Sequence, residues 1–411
     1  MKTAQEIIDL RKEYLMPCLG YFYQNPPVFE RGEMQYLYDT RGKKYLDFFA
    51  GVSVMNCGHS NPFILDKVTS QIGKLQHLTQ VYLTSPIVEL AQKLSQVLPG
   101  DLHNSFFCMS GSEANEGALL LARIYTGKRK FITLENSLHG RTYLTMSATN
   151  IPMWRADPFL LDDFYRISHS PDKVLQELEE VLQKEKDIAA FICEPIQGNG
   201  GIITPPDWYF QEISKLLKKY GVLFICDEVQ TGFARSGSMF AIQEFEVVPD
   251  ILTMSKALGN GIPIAAFSAT KEIAASFTSP SASTLGGNPV SCASALGVLE
   301  YIEKENLCQK AKDLGGFLRE KLEVMKDKYP AIKEIRGKGL MIGAELINSS
   351  GNPASQETDA VLEFLMNQGI ILGKNGLHRN VLAFQPPLVI TKEDVEFLLE
   401  KLDLALAHVF G

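Results

Sequence analysis

The sequence predicts an α/β protein. A large body carries a mostly parallel sheet covered by helices, and a smaller α+β domain follows it. Three observations predict this. From about residue 104, short apolar runs at 106–109, 131–134, 188–193, 222–226, 251–254 and 265–268 alternate with amphipathic stretches such as 174–185 and 207–220. The runs are apolar at nearly every position, which suits strands buried on both faces of a helix-covered sheet. The runs also end in polar or ionisable residues: Ser110-Gly111-Ser112, Glu194-Pro195, Asp227-Glu228 and Ser255-Lys256. In open α/β sheets, sites form beyond the carboxyl ends of the strands.

The remaining elements follow in chain order. Residues 1–16 read as a helix. Tyr36 to Asp39 and Lys44 to Asp47 flank a Thr40-Arg41-Gly42 turn and read as a hairpin. After about residue 290 the chain is mostly helical up to Tyr329, with one long helix expected to cross the domain boundary near 300. Strand-like runs follow at 339–346 and 381–385, and a last helix spans roughly 392–408. The expected division is an N-terminal segment (1–45) packing with the small domain, a large domain (46–300) and a small C-terminal domain (301–411).

Composition narrows the class. Of the 411 residues, 45% are hydrophobic and 21% charged, which excludes disordered, collagen-like and low-complexity chains. The net charge of −8 speaks against a nucleic-acid binder, which needs a basic surface. The seven cysteines, Cys18, Cys57, Cys108, Cys193, Cys226, Cys292 and Cys308, show no C-x-x-C spacing and read as free, buried thiols of a reducing compartment. The first dozen residues carry charges throughout, and no stretch has the apolar length needed to span a bilayer. A soluble, cytoplasmic protein without metal, membrane or nucleic-acid partners is the expectation.

Three segments carry chemistry. Ser110-Gly111-Ser112-Glu113-Ala114-Asn115-Glu116-Gly117-Ala118 follows a strand and opens a helix. Small residues let backbone N–H groups approach an anion, and a helix N-terminus adds about half a positive charge. Alone, the segment is equally an ordinary βα turn with a serine cap. Asp227-Glu228-Val229-Gln230 puts a carboxylate at the mouth of a buried strand, where it needs a cation or strong donors. A protonated ring nitrogen serves, as does an ion pair with Arg235 or a helix-capping role. Lys256 follows an apolar run and precedes Gly259-Asn260-Gly261. A desolvated lysine is a nucleophile toward carbonyls, whereas a solvated one is a surface residue. Taken together, a phosphate cradle, a carboxylate for a pyridinium nitrogen and a nucleophilic lysine are the attachments that pyridoxal 5′-phosphate needs.

The motifs S-G-S-E-A-N-E-G-A, L-H-G-R-T, E-P-I-Q-G, D-E-V-Q-T-G-F-A-R-S-G, M-S-K-A-L-G-N-G-I-P and T-L-G-G-N-P extend this over nearly the whole chain. In order and spacing the sequence resembles the class III, or ω-, aminotransferases of pyridoxal-phosphate fold type I. The resemblance implies that Lys256 forms the imine with the cofactor and moves the substrate proton. Asp227 holds the ring nitrogen protonated, Gln230 bonds the ring 3-oxygen, and Val229 packs on one ring face. Gly111 and Ser112 bind the phosphate, and Thr284 reaches the phosphate of a neighbouring subunit in a homodimer or tetramer. Leu138, His139 and Glu194 complete the cofactor-binding set. Arg141, Tyr82, Val54, Asn199 and Arg379 are the expected substrate residues.

Three positions depart from the family. Leu138 stands where an aromatic residue commonly stacks on the cofactor. Asn199 stands where members acting on 4-aminobutyrate or ornithine carry a gating glutamate, and Ala383 stands where they carry its partner arginine. Both halves of that switch are missing, which favours a small acceptor such as pyruvate or glyoxylate over 2-oxoglutarate. Arg379 and His378 lie close in sequence as substitutes. The segments 36–51, 194–203 and 336–343 look most like the alanine–glyoxylate aminotransferase 2 branch. The stretch Leu377-His378-Arg379-Asn380-Val381 instead looks like the ethanolamine-phosphate phospho-lyases. The implied activity is amino transfer from an ω- or β-amino acid, or a similar primary amine, to a small 2-oxo acid by ping-pong kinetics. A lyase or racemase reaction on the same cofactor, and a binding-only role, are the alternatives.

Overall fold

The computed structural model describes residues 2–411. Its central sheet has seven strands: β4 (Leu102–Cys108), β5 (Lys130–Leu134), β6 (Phe164–Ile167), β7 (Ile188–Cys193), β8 (Leu223–Asp227), β9 (Ile251–Met254) and β10 (Ala265–Thr270). They lie in the order β4-β10-β9-β8-β7-β5-β6. Only β10 runs against its neighbours; β9, β8, β7, β5 and β6 are parallel. Every residue of β7, β8 and β9 is buried, which is why these runs carry no polar alternation. Along β7 and β8 the side chains divide between the two faces. Phe191, Cys193, Phe224 and Cys226 join one core with Phe210, Ile213 and Leu217 of the helix Tyr209–Tyr220. Ile192 and Ile225 join the other with Ala118, Leu119 and Ala122 of the helix Gly111–Thr126. That helix lies close to the sheet because a Cβ at Gly117 would sit 2.3 Å from the Phe267 ring.

Two smaller sheets flank this body. The N-terminal one comprises β1 (Phe29–Glu33), β2 (Tyr36–Asp39), β3 (Lys44–Asp47) and β13 (Ile370–Ile371). The expected hairpin is present, and β13 adds to β3 in parallel, Ile370 opposite Leu46. The C-terminal sheet is antiparallel, with β11 (Ile332–Lys338), β12 (Met341–Leu346), β15 (Val381–Phe384) and β14 (Gly373–Asn375) in that order. The helix expected across residue 300 is found as Pro289–Lys304, and a second helix, Leu307–Lys328, follows it. Asn306 separates the two with a left-handed φ of 48°, a conformation asparagine tolerates better than most residues. The expected helices at 174–185 and 392–408 are found as Val174–Lys184 and Lys392–Phe410.

Arg235 joins the C-terminal sheet to the body. Its guanidinium is fully buried and donates from Nη1 to the carbonyls of Leu340 (2.9 Å) and Pro386 (2.7 Å), and from Nη2 to Asn56 Oδ1. It forms no ion pair with Asp227, so that reading of the D-E-V-Q segment is excluded. Burial pushes the Arg235 pKa down to about 9, with the charge of Asp47 opposing. All seven cysteines are free. Five are buried as expected, Cys308 is half-buried, and Cys18 is an exposed exception. Among the described residues no helix is long and apolar enough to cross a membrane.

Glu228, beside the site, is a structural carboxyl. It is completely buried and accepts from Thr231 Oγ1 at 2.5 Å and from the Ile242 amide at 2.7 Å. Burial raises its pKa to about 7, against the lowering effect of those donors. A carboxyl with a raised folded pKa holds a proton that the unfolded chain has already released, so its stabilisation is present below about pH 4.5 and lost as pH rises through about 7. Glu228→Gln keeps the amide acceptor and removes the titration. Urea unfolding of the cofactor-free protein from pH 5 to pH 8 is expected to show the variant gaining on the wild type by roughly 2–3 kcal/mol. Parallel profiles would show that Glu228 titrates normally.

Candidate active site

The carboxyl ends of β7, β8 and β9 lie side by side, with that of β4 on the same edge beyond β10, and together they deliver Glu194, Asp227, Lys256 and Ser110–Ser112 to that edge of the sheet. The loop after β5 adds Leu138, His139 and Arg141.

Asp227 is the last residue of β8 and is buried. Its Oδ2 meets Asn115 Nδ2 at 2.7 Å and His139 Nδ1 at 2.8 Å, and its Oδ1 accepts the Val229 amide at 3.1 Å. The Thr253 hydroxyl lies 3.4 Å from Oδ1 but spends its proton on Asn115 Oδ1 at 2.6 Å. Asn115 also donates to the His139 carbonyl at 2.7 Å. Asn115 and Thr253 were not singled out from the sequence. The signal was there: a polar residue on the buried face of the S-G-S-E-A-N helix and a threonine within an apolar strand. His139 Nε2 is buried without a partner.

Lys256 opens a single 3₁₀ turn, Lys256–Leu258, with φ 43°, a conformation an L-residue other than asparagine, aspartate or glycine rarely holds. The following Gly259 is required: a Cβ there would lie 1.9 Å from the Ile262 carbonyl. Burial lowers the Lys256 pKa, and the charges of Asp227 and Glu194 partly oppose this. Glu194 is buried, and burial raises its pKa to about 7. Its two oxygens accept from the Leu138 amide (2.9 Å) and the Gly198 amide (3.0 Å), so it braces the loops carrying Leu138 and Gly198.

Ser110 caps the helix Gly111–Thr126 through Oγ, which accepts from the Glu113 amide at 3.2 Å. The cap and the anion-cradle readings therefore coexist. Gly111 and Ser112 open the helix, and their amides have no carbonyl one turn back. Ser112 Oγ accepts from the Arg141 amide at 3.0 Å, which leaves the hydroxyl proton free to donate. A Cβ on Gly111 would sit 2.7 Å from Val229 Cγ1, so the cradle and the expected ring-face residue touch only because residue 111 is glycine.

The expected substrate residues are placed unequally. Arg141 is exposed, and among the described residues no carboxylate lies within ion-pair distance of it, so it is not tied down as a structural arginine. Val54 and Asn199 are half-buried. Val54 follows a left-handed turn, Ala50 to Ser53, started by Asp47 Oδ1 accepting the Phe49 and Ala50 amides at 2.8 and 2.9 Å. Ala383 is packed with Ile196, Ile202 and Met341 in an apolar cluster. Arg379 is half-buried with its guanidinium 5.3 Å from the centre of the Phe22 ring; burial lowers its pKa, and Asp359 opposes. Tyr82 and Thr284 are exposed, together with Val81, Leu83, Val88 and Leu285. Gln80 links their two segments, donating to the Phe107 and Gly286 carbonyls at 3.2 and 2.9 Å. Within one chain Thr284 thus lies on the surface.

The donor set fits pyridoxal 5′-phosphate. A carboxylate offers about four lone-pair directions. Three on Asp227 are taken by Asn115, His139 and Val229, which leaves one for a ring N–H. The amine of Lys256, the helix-opening amides and the Ser112 hydroxyl would supply the remaining attachments.

A family model described as "Aminotransferase class-III" matches residues 23–406. The chain is 40% identical to the Arabidopsis thaliana "Alanine--glyoxylate aminotransferase 2 homolog 2, mitochondrial", over 99% of this chain and 88% of that protein. It is 37% identical to the "Acetylornithine aminotransferase" of Methanothermobacter thermautotrophicus, over 99% of both. The structure of an Arthrobacter phospholyase in complex with phosphoethanolamine superposes with a TM-score of 0.89 at 32% identity, covering 98% of this chain and 99% of that one. With the lysine, the buried aspartate and the glycine–serine cradle at one sheet edge, the chain belongs to the class III aminotransferases, a family of pyridoxal-phosphate enzymes.

Proposed function

We propose that the protein transfers an amino group from an ω- or β-amino acid, or a similar primary amine, to a small 2-oxo acid such as pyruvate or glyoxylate. One observation carries the choice of acceptor. Ala383 is sealed in an apolar cluster with Ile196, Ile202 and Met341, so no cation stands there for a second carboxylate. Arg141, exposed and free of carboxylate partners, supports an anchor for a single carboxylate.

When bound, the cofactor supplies an electron sink for the charge left when a proton leaves the amine-bearing carbon. Lys256, with its amine pKa lowered by burial, carries that proton. Asp227 holds a proton at the ring nitrogen, steadied by His139 and Asn115. Gly111 and Ser112 hold the phosphate, Val229 and Leu138 cover the ring, and Gln230 faces its 3-oxygen. Val54, Tyr82 and Asn199 border the substrate, and Arg379 is the next cation for it. The divided architecture is read as 1–45, 46–300 and 301–411. The apolar surface around Tyr82 and Thr284 is read as the contact with a second copy of the chain, which receives Thr284 at its phosphate. We assign the protein to the cytoplasm.

Elimination of phosphate from a phosphorylated amino alcohol is the second reading, favoured by the likeness to the Arthrobacter phospholyase. Initial rates with a panel of amines against pyruvate, glyoxylate and 2-oxoglutarate separate the two. Parallel double-reciprocal lines are expected, with 2-oxoglutarate at least about tenfold poorer in kcat/KM, as the loss of one charge-assisted contact implies. Phosphate release from phosphoethanolamine without any oxo acid would establish elimination instead, and a preference for 2-oxoglutarate would remove the argument from Ala383.

Arg141 is the carboxylate anchor in this reading. Arg141→Leu is expected to raise KM for carboxylate-bearing amines by about tenfold or more, the value of one charge-assisted hydrogen bond. It should change little for 1-phenylethylamine, which has no carboxylate. An equal loss on both donors would transfer the anchoring role elsewhere, with Arg379 the next cation to test.

A further inference from the structure

Gln385 lies just past the end of β15, is completely buried and belongs to no group of residues so far given a role. Its backbone is fixed on both sides. Its amide donates to the Phe48 carbonyl at 2.8 Å, the next carbonyl, of Pro386, accepts from Arg235 at 2.7 Å, and the Leu388 amide donates to the Asn56 carbonyl at 2.8 Å. Pro386 and Pro387 restrict the chain further. The staple holds Gln385 against the body, and its side chain reaches Gln230: Gln230 Nε2 donates to Gln385 Oε1 at 3.3 Å, both groups buried.

Gln230 has little freedom on its other side. A Cβ at Gly198 would lie 2.1 Å from Gln230 Oε1, 2.6 Å from Cδ and 3.0 Å from Nε2, so the amide meets residue 198 oxygen-end first and fits there only because that residue is glycine. The amide is wedged between Gly198 and Gln385. Its two orientations, half a turn apart, differ in whether nitrogen or oxygen meets Gln385. The oxygen of Gln385 selects the nitrogen. That choice uses one N–H of Gln230 and leaves the second on the same nitrogen. A glutamine that merely filled core volume would have both ends paired, yet Gln385 Nε2 is buried with no acceptor. The pair is therefore a polar contact left open, not a closed core network.

We propose that Gln385 is a positioning residue: by accepting from Gln230 it turns that amide so that its remaining N–H, rather than its oxygen, meets the ring 3-oxygen of the cofactor. This rests on the reading that Gln230 faces the 3-oxygen. The contact couples the C-terminal sheet, through the staple at 385–388, to the electronics of the ring. The ring 3-oxygen shares its negative charge with the proton on the neighbouring lysine nitrogen. A donor to that oxygen takes up part of the charge, and the proton then leaves at lower pH. Loss of the donor moves its departure to higher pH.

The test is a pH titration of the visible absorption band of the cofactor-loaded enzyme, made on the wild type, Gln385→Met, Gln230→Met and the double variant. Methionine keeps the volume and removes the amide. Gln385→Met is expected to move the midpoint upward by about half to one pH unit, one neutral hydrogen bond's worth. Gln230→Met should move it at least as far, and Gln385→Met should add nothing in the Gln230→Met background. If Gln385→Met does not fold, Gln385→Asn, which keeps an amide too short to reach Gln230, must show the same displacement. An unmoved midpoint in the Gln385 variants beside a moved one in Gln230→Met overturns the proposal alone. A full additional shift in the double variant also overturns it, because Gln385 would then act independently. An unmoved midpoint in Gln230→Met overturns the underlying reading of Gln230 and the proposal with it.

Discussion

The site depends on one constraint: a carboxyl group at the end of a strand buried on every side needs strong donors. Asp227 meets it with one histidine, one asparagine and one backbone amide, each within 3.1 Å. Left without those donors, such a group would take up a proton to avoid the cost of burial. Burial lifts the neighbours Glu194 and Glu228 to about 7 although each accepts two hydrogen bonds. Three carboxyl groups thus sit within a few residues of the same sheet edge in different environments, and only Asp227 is caged by side-chain donors from two other elements. Because Asn115 comes from the helix after β4, His139 from the loop after β5 and Thr253 from β9, the cage forms only when the whole central sheet is assembled.

That dependence explains which parts were readable in the sequence. The buried strands β5, β7, β8 and β9 were legible because burial on both faces demands continuous apolar runs, and their polar termini announced Glu194, Asp227 and Lys256. β6 was missed because it is an edge strand of four residues with Tyr165 half-buried and Arg166 exposed in its middle, and β11 because Lys333, Glu334 and Arg336 interrupt its pattern. Arg235 was weighed as a partner of Asp227 from its nearness in sequence, whereas its acceptors come from residues 56, 340 and 386. Contacts between residues a hundred or more apart, such as Asn115 with Asp227 and Gln230 with Gln385, leave no local period to detect.

The same geometry separates cofactor chemistry from substrate choice. Several groups proposed to touch the cofactor, Gly111, Ser112, Asp227 and Lys256, lie at strand ends and helix starts fixed by the sheet, whereas Arg141 after β5, Asn199 after β7 and Arg379 between β14 and β15, proposed for the substrate, lie on loops. A fold can host different substrates through its loops, which is consistent with likeness to proteins named for different substrates and to a phospholyase.

In the proposed function, Asp227 keeps the ring nitrogen of the cofactor protonated. Nitrogen NMR of enzyme loaded with cofactor labelled with ¹⁵N in the ring tests this directly. The account predicts a protonated ring nitrogen in the wild type at pH 8 and an unprotonated one in Asp227→Asn, with the cofactor still bound through Lys256 and the phosphate cradle. An unprotonated nitrogen in the wild type, or one that stays protonated in Asp227→Asn, would contradict it.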